Sequence, residues 1–73
     1  SDFEAALSPL RRAAELEPGD PRIQYNLALT LCQLERFDEA RQVLSNAIER
    51  WPNESRLIIL YKRVLEEFGE QKR

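Results

Sequence analysis

Histidine is absent from this chain of 73 residues, and cysteine occurs once, as Cys32. Without histidine and with a single thiol, a zinc site of the usual nitrogen and sulfur ligands has too few donors. One cysteine also forbids an internal disulfide, which fits a reducing compartment such as the cytoplasm. Glycine is nearly as scarce, with only Gly19 and Gly69. That argues against a flexible linker and against a phosphate-cradling loop, and no cofactor-binding motif is present. No apolar run approaches the roughly 20 residues that a membrane-spanning helix needs. No charged leader followed by an apolar stretch marks a signal peptide. Neither sign of charge dominates: 11 Lys and Arg against 13 Asp and Glu leave a net charge of −2. A domain that reads nucleic acid usually offers a basic face to the phosphates, and this balance supplies none.

What the chain does have is an internal repeat. Phe3 recurs as Phe37, Ala6 as Ala40, Leu10 as Leu44 and Ala13 as Ala47. Glu15 recurs as Glu49, Pro18 as Pro52, Arg22 as Arg56 and Leu31 as Leu65. Each pair is 34 residues apart, and the matches fall on apolar, small and proline positions, where packing demands them. A fixed period of this size is the signature of a stacked repeat architecture.

The local signals are helical. Pro18-Gly19-Asp20-Pro21 stops one helix and starts another: glycine suits a helix C-terminus, Asp20 suits an N-cap and Pro21 a first turn. Ile23, Leu27, Leu31 and Leu34 share one face of a 3.6-residue period. The spacing predicts helices over about residues 3–16, 21–34, 37–50 and 54–68. Glu35-Arg36 is read as the tight turn between the second and third helices. Pro9 lies inside the first helix, where it removes a hydrogen bond and crowds the preceding turn. Because Phe3 and Ala6 keep the 34-residue register, a kinked helix is expected there rather than a start at Ser8. Ala6, Ala13, Ala28, Ala40 and Ala47 mark close helix approaches, where larger side chains would overpack by about 1–3 kcal/mol.

Between Gln24 and Pro52 the sequence resembles a tetratricopeptide repeat. Gln24, Leu27, Ala28 and Leu31, then Ala40, Leu44, Ala47 and Pro52, stand at that pattern's positions. Phe37-Asp38-Glu39-Ala40 is similar to the usual opening of the family's second helix. Gln24 replaces a bulky residue, and Glu35 replaces the turn glycine. The resemblance implies an all-α fold of antiparallel helix hairpins, about four helices stacked as a short right-handed α-solenoid. Residues 1–19 would be the second helix of a preceding repeat, 20–53 a complete repeat, and 54–73 the first or capping helix of the next. Such an array is either cut out of phase or closed by its outer helices. Lys62, where the repeat has Ala28, suits an open, capping end.

In the resembled family the first helix of each repeat lines a concave face that holds a peptide or a partner's helix. Carried over by position, the partner-binding residues are Arg22, Tyr25, Asn26, Leu29 and Gln33, then Arg56, Ile59, Leu60 and Arg63. The three arginines suit carboxylates, so an acidic peptide or protein partner is expected. Leu57-Ile58-Ile59-Leu60-Tyr61 is too long an apolar run for one face of a helix. It leaves homo-oligomerisation through the ends of the stack as an alternative. Trp51 is expected over the seam between repeats, and Cys32 as a small, half-buried hydrophobe.

Catalysis needs a nucleophile beside a base, a pair of carboxylates with separated pKa values, or a metal. No histidine is available as a base. Asp38-Glu39 and Glu66-Glu67 are adjacent pairs that point to different sides of a helix. Asp38 and Arg41 have the spacing of an exposed ion pair instead. Ser8 and Ser45 lack activating partners. An enzyme is therefore not expected.

Overall fold

The computed structural model describes residues 2–68, which form helices joined by short turns, with no strand among them. The helices are α1 (Asp2–Leu16), α2 (Pro21–Gln33), α3 (Phe37–Arg50) and α4 (Ser55–Arg63), and a π-helical turn, Val64–Phe68, extends α4. Connections this short make each helix antiparallel to the one before it. The principal packing is sequential: α1 on α2, α2 on α3, and α3 on α4 with its extension. The Cα envelope measures 36 × 33 × 14 Å, a thin slab of the kind that neighbour-on-neighbour stacking produces. No helix among the described residues is long and apolar enough to cross a membrane.

The core falls into two clusters. Leu7, Leu27, Leu31 and Ala40 join α1, α2 and α3. Ala28, Leu44, Ala47, Leu57, Leu60 and Val64 join α2, α3, α4 and its extension. Cys32 and Val43 pack against both. Ala28 and Ala40 are completely buried, so the helices meet where the side chains are smallest. Ala6 and Ala13, the repeat partners of Ala40 and Ala47, are half-buried because α1 is flanked on one side only.

The turns show how the ends are made. α1 runs through Pro9 without a break. The proline leaves the Ala5 carbonyl without its usual amide, and Ala5 lies at the exposed surface. Asp20 is extended (φ −109°, ψ 104°) and accepts the Arg22 amide at 3.0 Å, which caps α2 as expected. Gly19 departs from expectation. Its φ is not in the left-handed region, and a Cβ placed on it would meet nothing within 4 Å. The Asp20 amide bonds back to the Glu17 carbonyl at 3.2 Å, an ordinary tight turn that leaves glycine unnecessary.

The left-handed residue is Glu35, at φ 60°. The Arg36 amide reaches the Leu31 carbonyl at 2.8 Å, and the Glu35 amide reaches that of Cys32 at 3.0 Å. These two bonds are the Schellman pattern, which satisfies carbonyls at a helix C-terminus and usually has glycine at the left-handed site. The α2–α3 turn thus keeps the glycine geometry with a glutamate in it.

The last helix also departs from expectation. The spacing predicted one helix over 54–68, whereas regular α-helix ends at Arg63. The Val64 amide is shared between the Leu60 and Tyr61 carbonyls, and the chain then widens into the π turn. Val64 itself is fully buried in the second cluster.

Candidate functional site

The apolar run in α4 sorts itself by helical period. Leu57 and Leu60 point into the second cluster, Ile58 and Tyr61 are half-buried, and Ile59 faces outward with 64% of its surface exposed. Only Ile59 therefore offers a free apolar surface from this run. Leu60, expected to contact a partner, is 6% exposed and belongs to the core. It sits three residues beyond Leu57, on the same stripe, so packing claims it first.

Tyr25 and Leu29 of α2 and Arg56, Ile59, Leu60 and Arg63 of α4 line an open cleft of about 180 Å³. All six are among the nine positions expected to contact a partner. Leu60 forms its floor, and Tyr25 and Leu29 are half-buried. Arg22 lies outside it. That residue and Arg56 line a neighbouring, more polar cleft with Asp20, Asn53, Glu54 and Ser55, at the starts of α2 and α4. Arg56 is common to both. Asn26 and Gln33 are exposed on α2 but line neither cleft.

The three arginines differ in their electrostatic state. Arg22 donates through Nε and Nη2 to the two carboxylate oxygens of Asp20, at 3.1 and 3.0 Å. The Arg22 side-chain and backbone bonds hold the Asp20 carboxyl below its usual pKa, and Asp20 pushes the Arg22 guanidinium further up. Arg63 donates to Glu67 at 3.2 Å, one turn along in the π segment. Arg56 has no ion pair among the described residues. The two neutralising carboxylates escaped the sequence reading, although the Arg63–Glu67 spacing of four is itself an ion-pair signal. The Asp20 side chain was assigned to capping alone, whereas it both caps α2 and binds Arg22.

Away from the clefts, the charges are structural. Glu39 accepts Arg11 of α1 at 2.7 Å and Arg36 at 3.1 Å, which ties α1 to the head of α3. Asp38 pairs with Arg41, as its spacing implied. Cys32 is half-buried, and burial raises its thiol pKa against the opposing pull of the Arg63 charge. Trp51 follows α3, packs on the second cluster and carries the Arg50 guanidinium 5.2 Å from its ring centroid.

A family profile described as Tetratricopeptide repeat matches residues 1–64. The chain belongs to the tetratricopeptide repeat family. That family membership accounts for the stacked antiparallel hairpins and for the 34-residue register together. Over 41 residues the tetratricopeptide chain is 49% identical to the chloroplastic PsbB mRNA maturation factor Mbb1 of Chlamydomonas reinhardtii. The match covers 56% of this chain and 6% of that relative, so the chain spans a small fraction of the relative's length. No solved structure gives a significant match.

Proposed function

We propose that this chain is a non-catalytic protein-interaction module that holds a peptide or a partner's helix in the α2–α4 cleft, with a preference for acidic partners. In this reading residues 20–53 form a complete repeat, 1–19 belong to the second helix of the one before and 54–73 to the first or capping helix of the next, residues 1 and 69–73 lying outside the described residues. The observation that carries it is the cleft itself. It gathers an aromatic ring, three aliphatic side chains and two guanidinium groups from α2 and α4. Aromatic and arginine side chains dominate binding hot spots. The lack of a histidine base and the commitment of Asp38 and Glu39 to arginine partners support a role without chemistry. With no excess of positive charge for a phosphate backbone, a role near RNA like its relative's would run through a protein partner.

The test is a peptide-display selection against the 73-residue chain, counter-screened on the Tyr25→Ala, Ile59→Glu variant. Peptides retained by the native chain and lost by the variant support the reading. A selection that yields nothing, or peptides that bind both proteins equally, defeats it.

A second reading is self-association through the ends of the stack. It is favoured by two repeat-related exposures. Leu31 is 1% exposed and its partner Leu65 is 40% exposed, while Phe3 is 45% exposed and its partner Phe37 is half-buried. Sedimentation equilibrium decides it: a monomer at millimolar concentration removes it, and a dimer abolished by Leu65→Glu supports it.

A further inference from the structure

Resting on the peptide-binding reading, we propose that the α2–α4 cleft recognises a segment carrying one carboxylate beside one aliphatic side chain, and gains little from further acidic residues. The argument is one of occupancy. Three arginines lie along this face, but the molecule's own carboxylates already hold two of them. Asp20 binds Arg22 through both oxygens, and Glu67 binds Arg63. A ligand carboxylate that approaches either meets a guanidinium whose charge a neighbouring carboxylate already partly neutralises, so it gains less there than at an unpaired arginine. Of the three, Arg56 is the one with no ion pair among the described residues, and it lines the apolar cleft as well as the polar one beside it. Its five donors match a carboxylate in two-point geometry. Around it, Leu29 and exposed Ile59 give contact for an aliphatic side chain, and the Tyr25 ring forms part of the same wall. A cleft of about 180 Å³ holds one such side chain, not a row of them. Charge and shape therefore point to a two-point epitope centred on Arg56.

The experiment is an amide-resolved NMR titration of the 73-residue chain with three synthetic dodecapeptides on a glycine-serine background. The first carries leucine next to glutamate, the second leucine next to glutamine, and the third leucine next to three glutamates. The first is expected to shift amides of α2 and α4 saturably, and the second to bind at least about tenfold more weakly, as loss of a charge-assisted pair requires. The third should bind within about twofold of the first. Arg56→Ala should remove the difference between the first and second peptides. Asp20→Asn and Glu67→Gln, which free Arg22 and Arg63, should each raise affinity for the third peptide at least threefold. If the first peptide binds and Arg56→Ala leaves its affinity unchanged, the Arg56 assignment is wrong while the interaction module stands. The same holds if the native chain prefers the third peptide tenfold. If none of the three binds and the display selection also fails, both readings fall together.

Discussion

The Arg36 amide donates to the Leu31 carbonyl at 2.8 Å, and that bond closes a loop over Glu35, held at φ 60°. A residue with a Cβ costs about 1–2 kcal/mol in the left-handed region, and glycine avoids that cost. Glu35→Gly is therefore expected to stabilise the chain by about 1 kcal/mol, a rise of about 4–8 °C in Tm at this size. Glu35→Ala keeps the Cβ and should show no such gain. Calorimetry of the two variants checks the claim, and equal melting temperatures would count against it.

Gly19 predicts the opposite dependence on side chain. Its backbone is not left-handed and the space beside it is open. Gly19→Ala should stabilise the chain by about 0.4–1 kcal/mol, through loss of freedom in the unfolded chain. Urea denaturation reads this as a higher midpoint with an unchanged slope; a lower midpoint would show that the turn needs glycine after all.

Repeat-related leucines should differ in proportion to what covers them. Leu31→Ala empties a fully enclosed site and should cost about 2–5 kcal/mol. Leu65→Ala, the same change 34 residues on, removes a side chain already 40% exposed and should cost about 1 kcal/mol or less. Chemical denaturation of both variants compares them directly. Equal losses would mean that the last turn is more enclosed than its exposure shows.

Asp20 links stability to acid. Its folded pKa lies below the model-compound value of 3.8 because Arg22 bonds to the charged form. A carboxyl depressed in this way stabilises the fold above that value and stops doing so as pH falls through the lower, folded one. The urea midpoint of the native chain should therefore fall below about pH 4 more steeply than that of Asp20→Asn. Asparagine still caps the helix but does not titrate. Parallel pH profiles for the two proteins would disprove the linkage.

Much of the architecture was written in the spacing. Alanines and leucines repeating every 34 residues located α1 and α3, the apolar face of Ile23, Leu27 and Leu31 located α2, and Asp20-Pro21 announced its start. Local chemistry was harder to read. Glycine at 19 suggested a left-handed helix end that the structure does not use, while Glu35, read as standing at the turn-glycine position, takes the left-handed conformation itself. How much of Leu60 the core takes up was not legible, because one apolar residue in a run of five looks like any other until the helical phase is fixed. The states of Arg22 and Arg63 depended on rotamers chosen in three dimensions, and the sequence offered only candidate pairs.

The thin slab has a further consequence for how the chain comes apart. Each helix leans chiefly on its neighbours in sequence, so the stack has no keystone and opening begins at its margins. Amide protons of α1 and of the turn after Arg63 should exchange with solvent well before those of Leu31 and Leu44. The α2–α4 cleft borders the looser margin. A ligand seated there would tie α4 to α2, and slower solvent exchange at that edge would reveal its arrival without any change of fold.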